Sequence, residues 1–441
     1  MGTHQLSTTD QVDTSIDIPR RYAWIVFALT FGLLISDYMS RQVLNAVFPL
    51  IKSEWLLSDS QLGLLSGIVA LMVGLLTLPL SIFADKFGRV KSIALMAILW
   101  SMATLGCALA QSYEQMFVAR FLVGVGEAAY GSVGIAVVVA VFPREMRATL
   151  ASSFMAGGVF GSFIGMSLGG VIAHEFGWRW AFAGMAIFGL ILSILYPLVV
   201  KESKVASPIP KDKEGNKLKP EINPLRSIYS SRSIIACYFG SGLQLFVGGT
   251  VIVWMPSYLN RYYGMTTDKA GIASALIVLF SAIGTILCGI LCDRLGKDRP
   301  DRKVVLAIIF CLVSCGLLSF AFALPIGTMQ LVFICIGMFV ALGTNGPSSA
   351  MVANLTHASV HATAFATLTL ANNFLGLALG PLVTGKLSDI IGLHDAFRVM
   401  PLISILAAAV FLYMKRHYHK DMARADRQVT TSLQENREHS S

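Results

Sequence analysis

The sequence predicts an all-α integral membrane protein of twelve transmembrane helices, arranged as two pseudo-symmetric six-helix bundles. Three observations predict it. The 441 residues are 55% hydrophobic and only 13% charged, whereas an ordinary soluble domain carries about 25% charged residues, so too little polar surface exists to face water on all sides. Apolar runs of about 20 residues, the helical length that crosses a bilayer core, recur twelve times along the chain. Lastly, a charged loop of fixed spacing recurs at matching places in the two halves.

Residues 1–21 read as a tail, polar and acidic as far as Ile18 and basic at Arg20 and Arg21. It lacks the charged-then-short-apolar form of a cleaved signal, so the first helix is expected to stay in the mature chain. Six spans follow, at 22–51, 60–84, 92–110, 115–141, 150–173 and 180–200, making an N-terminal bundle over 22–200. The fifth span places glycine at every fourth position from Gly157 to Gly169, a small-residue stripe suited to close helix contact. Residues 201–233, containing KESKVASPIPKDKEGNKLKPE, are charged, broken by proline and without apolar periodicity, and read as a solvated linker. Six more spans, at 234–258, 270–292, 304–324, 330–352, 362–387 and 396–413, make a C-terminal bundle over 234–414. In the tenth, Asn345-Gly-Pro347 is expected to break the helix and free backbone groups, which membrane depth tolerates only inside protein or at a cavity. Residues 415–441 read as a polar tail, basic beside the membrane and suited to anionic lipid.

The net charge of +9 would suit a nucleic-acid partner. The bases, however, sit in loops and tails and are not interleaved with aromatics, so none is expected. Most lie on the side of the two tails and the linker, against Lys52, Arg179, Arg261, Lys269, Lys386 and Arg398 on the other. That bias predicts cytoplasmic termini in a cell's inner membrane. All seven cysteines fall in apolar stretches and read as buried hydrophobes. The pairs Cys288/Cys292 and Cys311/Cys315 have no His or carboxylate beside them, so neither metal nor cofactor is expected. Gly124-x-Gly126 is a fragment of a nucleotide fingerprint, without a phosphate-loop lysine, and gives ATP-driven transport no support. No nucleophile, base and orienter occur at recognisable spacing, which argues against an enzyme.

The repeated loop is Ser81-Ile-Phe-Ala-Asp85-Lys86-Phe-Gly88-Arg89 after span two and Gly289-Ile-Leu-Cys-Asp293-Arg294-Leu-Gly296-Lys297 after span eight. A second echo links Gly177-Trp-Arg-Trp-Ala-Phe182 to Asp395-Ala-Phe-Arg398. Halves repeated in this way, with a site between them, are the architecture of a rocking transporter. These loops, together with Pro143-Arg-Glu145-Met-Arg147, resemble the major facilitator superfamily along nearly the whole chain. Within it, Tyr38-Met-Ser-Arg41-Gln and Arg120-Phe-Leu-Val-Gly-Val-Gly-Glu127-Ala-Ala-Tyr130 look like the spinster-like branch and its neighbours among bacterial organic anion:proton symporters. Two departures stand out: Ser81 replaces the usual leading glycine of the loop, and Ser40 replaces the acid that often precedes the first-span arginine. Asp37, one turn earlier, is a stand-in for that acid. The resemblance implies the major facilitator fold and alternating access, and the chain is expected to act as a monomer.

Once loops and tails are set aside, four ionisable groups lie at membrane depth: Asp37 and Arg41 in span one, and Arg120 and Glu127 in span four. A charge near the bilayer centre costs roughly 2.5 to 3.5 kcal/mol, so each needs a partner or a task. Four-residue spacing puts the first pair on one helix face and seven-residue spacing the second. With the spans antiparallel, all four fall within about 12 Å of depth and are expected to meet as an alternating cluster. One reading is a fixed ion-pair network that only holds the two spans together. The other gives the arginines an anion and a carboxyl the proton, with Glu127 the first candidate and Asp37 the second. Protonating Glu127 would free an arginine for a charge-assisted contact with a substrate carboxylate.

Substrate-binding candidates are Arg41, Arg120, Tyr38, Tyr130, Trp254, Asn345 and Asn372, with Gln244, Tyr258, Ser348, Asn354 and Asn373 as further polar groups of the second half. An uncharged half facing a charged one suits a substrate with an anionic end and a less polar body. Gating falls to the loop residues: Asp85 and Asp293 are expected to accept from helix N-termini or nearby arginines, Arg147 among them, with Arg89, Glu145 and Arg294 in the same loops. His357 and His361 read as solvated loop residues. The expected function is proton-coupled symport of a small organic carboxylate. The rivals are a proton-coupled exporter of an amphipathic lipid or drug-like molecule, and a membrane sensor, which is disfavoured because no signalling domain is attached.

Overall fold

The structure is a computed structural model that describes residues 19–143, 146–205, 231–297, 299–356 and 360–438. Among the described residues there is no strand, and twelve helices are long and apolar enough to cross a membrane. Spans one to six are Arg20–Trp55, Asp59–Phe87, Arg89–Leu109, Tyr113–Val141, Thr149–Phe176 and Trp178–Val199. Spans seven to twelve are Arg232–Tyr263, Thr267–Gly296, Asp301–Ala323, Thr328–Leu355, Thr363–Ile391 and Leu393–Ala423. The fold class expected from composition and repeat is the one observed. The last helix continues to Glu438, through most of the segment predicted as a tail.

Local sequence explains the junctions. Ser58 and Gln61 form a reciprocal capping box that starts span two. Ser231 accepts from the Ile234 amide to start span seven. Gly88 turns the chain between spans two and three at φ 112°, in the left-handed region that favours glycine. A short helix at Glu202–Val205 follows span six, and its Glu202 carboxylate accepts the Arg89 and Val90 amides at 2.7 and 2.8 Å, capping span three. The second sequence echo is a backbone echo too. Gly177 (φ 91°, ψ 156°) opens span six and Gly392 (φ 85°, ψ 155°) opens span twelve, each followed four and five residues later by Ala and Phe.

Four spans depart from a regular helix, span twelve through a 3-10 turn at Met400–Leu402. Span four breaks at Ala128 and Ala129, directly after Glu127. Its counterpart, span ten, breaks between Ala341 and Asn345, one turn before the expected Asn345-Gly-Pro347. Span eleven runs as π-helix over Asn372–Ala378. Interrupted spans at corresponding places of two repeats mark the region where transporters of this architecture hold their substrates.

Small residues set the packing. A Cβ on Gly161 or Gly165 would meet the backbone of Ile35 or Met39, so the glycine stripe of span five lies directly on span one. The halves meet chiefly through three pairs of spans. Gly63 and Gly67 of span two abut Pro381 and Ala378 of span eleven, Gly170 of span five abuts span eight at Gly271, and Phe48 of span one packs on Trp254 of span seven. All these contacts lie toward the end opposite the charged repeat loops, here called the far end.

Candidate functional site

Asp37 and Arg41 face span four from one side of span one, as their spacing dictates. Arg41 Nε lies 3.1 Å from Asp37 Oδ1 and 2.6 Å from Glu127 Oε2. Asp37 and Glu127 are buried, and Glu127 Oε1 has no hydrogen-bond partner among the described residues. The position of Glu127 is fixed by the glycines before it: a Cβ on Gly124 or Gly126 would meet the backbone of Val69 or Trp100, so span four is wedged between spans two and three.

Arg120 departs from the expected four-member cluster. It is buried with no carboxylate partner among the described residues, and instead donates through Nη1 to Ser40 O at 2.9 Å and through Nε to Leu65 O at 3.3 Å. The reason is axial: two helical turns, about 10 Å, separate it from Glu127, so at its own depth the nearest acceptors are carbonyls of spans one and two.

Between the halves lies a cavity of about 180 Å³. Tyr38, Arg41, Gln42, Asn45 and Arg120 line it from the first half, and Ile252, Val253, Val278 and Leu377 from the second. The Arg41 guanidinium carbon sits 5.2 Å from the centre of the Tyr38 ring. Larger grooves lined by residues such as Met102 and Val118, or Leu276 and Phe280, are on apolar outer faces where acyl chains would lie.

Several sequence candidates stand elsewhere. Tyr130 is fully buried against Trp100 and gives its hydroxyl to Thr30 O at 2.5 Å, so it is a packing group. Trp254 is fully buried in the contact between halves and donates Nε1 to Pro381 O at 3.0 Å. Asn345 starts the second segment of span ten and does not line the cavity. Asn372 and Asn373 begin the π-helical stretch whose Leu377 does line it; Asn373 donates to Thr369 O at 2.9 Å. Gln244 bonds Ser314 and Ala341 O inside its own half. Conversely, sequence reasoning missed Gln42 and Asn45. Their signal was available, since 38, 41, 42 and 45 form one helical stripe.

The far end carries a second missed group, Asp59. Its buried carboxylate accepts both Arg261 terminal nitrogens at 2.6 Å, Lys52 Nζ at 2.5 Å and the Ser388 hydroxyl at 2.5 Å. Asp389 in turn accepts the Asp59 and Ser60 amides at 2.7 and 2.9 Å. The start of span two is thereby stitched to spans seven and eleven of the other half. At the repeat-loop end each acid stays within its own half: Asp85, 62% exposed, pairs with Arg89 at 3.1 Å, and Asp293, 76% exposed, with Lys303 at 3.1 Å. Arg147 donates to Phe142 O at 3.3 Å rather than to Asp85, and Arg294 is exposed. Glu145 and His357 lie outside the described residues, while His361 bonds the carbonyls of Ala353 and Thr356. The far end is stitched shut, whereas among the described residues no ion pair joins the two halves at the repeat-loop end.

The family model described as Major Facilitator Superfamily matches residues 30–378. The hexuronate transporter of Bacillus subtilis is 24% identical over 70% of this chain and 72% of its own length. The sphingosine-1-phosphate transporter SPNS2 of Danio rerio is 23% identical over 91% of this chain and 85% of its own. Among solved structures, a bacterial homolog to the human lysosomal transporter spinster, inward-facing and unoccupied, superposes with a TM-score of 0.84 at 21% identity, covering 91% of this chain and 99% of that one.

Proposed function

This chain belongs to the Major Facilitator Superfamily and is a multi-pass membrane transporter, and from that premise we propose that it moves a small organic carboxylate together with a proton by alternating access. The observation that carries the reading is the convergence of two buried carboxylates on the single Nε–H of Arg41, at the wall of a cavity between the halves. One N–H makes one strong hydrogen bond. With both carboxylates ionised they compete for it; with Glu127 protonated, Arg41 is released toward the cavity, where a substrate carboxylate replaces the lost partner.

Charge balance makes the coupling obligatory. Asp37, Glu127, Arg41 and Arg120 together are neutral when all are ionised. One proton plus one monoanion keeps the set neutral, whereas either alone leaves a net charge in a low-dielectric interior, which is expensive. The relative named as a hexuronate transporter supports an anionic substrate. The basic bias of the loops supports cytoplasmic termini, a cell's inner membrane and an inward-open arrangement for this structure. A second reading, proton exchange for an amphipathic lipid anion, draws on the sphingosine-1-phosphate transporter that matches 91% of the chain.

Reconstitution in proteoliposomes with an imposed pH gradient separates these readings. Carboxylate accumulation in excess of protein-free vesicles, driven by inward proton flow, supports symport; lysolipid movement without carboxylate uptake supports the second reading.

A further inference from the structure

We infer that the substrate is a compact monocarboxylate whose body carries no hydroxyl groups, an aromatic or branched aliphatic acid rather than a sugar acid; this rests on the carboxylate-symport reading and narrows it. The polar atoms left without a protein partner on the charged wall of the cavity are donors. They are the two terminal nitrogens of Arg41, whose protein bonds are both made by Nε, one terminal nitrogen of Arg120, and the Gln42 amide nitrogen. The Tyr38, Ser66 and Ser162 hydroxyls, which can also accept, are the exceptions.

The two amide oxygens of that wall each already accept one bond, and the Ser66 and Ser162 hydroxyls spend their protons on Asn45 Oδ1 and Gly158 O, so donors outnumber the acceptors left free. Gln42 Oε1 takes the Asn45 amide at 2.7 Å, and Asn45 Oδ1 takes the Ser66 hydroxyl at 3.3 Å. An ionised carboxylate is acceptor-only and matches such a wall. Each hydroxyl of a sugar acid brings a donor instead, and a buried donor without an acceptor is destabilising.

The opposite wall sharpens the contrast. Gly249, Ile252, Val253, Val278 and Leu377 present no polar side-chain atom to the cavity. A ring or branched chain gains contact there, whereas a polyhydroxy chain loses its hydration and gains nothing. The volume of about 180 Å³ accommodates a short body such as a single ring.

The test is calorimetric binding to the full chain in lipid nanodiscs, with sodium benzoate, sodium gluconate and benzyl alcohol as probes. Benzoate should bind, gluconate should bind at least about tenfold more weakly, and benzyl alcohol should not register. Ile252→Asn should weaken benzoate by about tenfold and narrow its advantage over gluconate. Arg41→Lys should weaken both carboxylates. Gluconate binding as tightly as benzoate, and weakened by Arg41→Lys, overturns this inference and leaves the carboxylate reading standing; the Asn372 and Asn373 oxygens, buried without partners, would then be the acceptors to delete. Failure of both carboxylates to bind, or benzoate binding indifferent to Arg41→Lys, overturns the carboxylate reading and this inference with it.

Discussion

At Arg41 two carboxylates share one N–H, and this asymmetry assigns the tasks. Glu127 is fully buried and keeps one oxygen unpartnered among the described residues, so it has a free site at which to hold a proton. Glu127→Gln should abolish carboxylate accumulation under a pH gradient while sparing counterflow exchange; accumulation at the native level would move the proton site to Asp37. Arg41→Lys keeps the charge but loses the planar fork, and should raise the apparent KM at least about tenfold in initial-rate measurements. The ionisable trio was legible because charge at membrane depth is rare and helical spacing decides which charges share a face. The bonds of Arg120 to Ser40 O and Leu65 O were not legible, since a backbone carbonyl as partner leaves no mark on residue identity. Tyr130 and Trp254 misled for another reason: an aromatic in a span serves core and cavity equally well, and only the packing tells which.

At the scale of elements, the closed far end depends on one buried acid and on glycines that let backbones touch. Removing the charge of Asp59 leaves Arg261 and Lys52, both partly exposed, facing each other without their shared counter-ion. Asp59→Asn should therefore move the population toward an open far end, read as longer spin-label distances between spans two and eleven; unchanged distances would assign Asp59 to static packing. Gly67→Val places a side chain against the Ala378 backbone and should act in the same direction. The break in span ten was legible from Asn345-Gly-Pro347, although it falls one turn earlier. The break in span four was not, because Ala128 and Ala129 are strong helix formers and tertiary packing overrides them. Asp59 was missed because hydropathy starts the second span at Ser60, one residue past the acid that seals it.

Across the whole molecule, hydrophobic length gave the twelve spans and the repeated loops gave the two bundles, so the architecture was readable before any coordinates. The conformational state was not. The chain encodes ion pairs for both ends, and which end is stitched is a population, not a property of composition. The central claim at this scale is neutrality: one proton enters with each monoanion. Initial uptake of a monocarboxylate should accordingly be unchanged by a potassium-diffusion potential of either sign. A potential-dependent rate would mean a different proton count. The most direct measurement uses vesicles with a pH indicator trapped inside, equal starting pH and zero voltage, with carboxylate added outside and the signal of protein-free vesicles subtracted. The account predicts interior acidification of one proton per carboxylate taken up, lost in Glu127→Gln; carboxylate uptake by the native chain with no change in interior pH would contradict it.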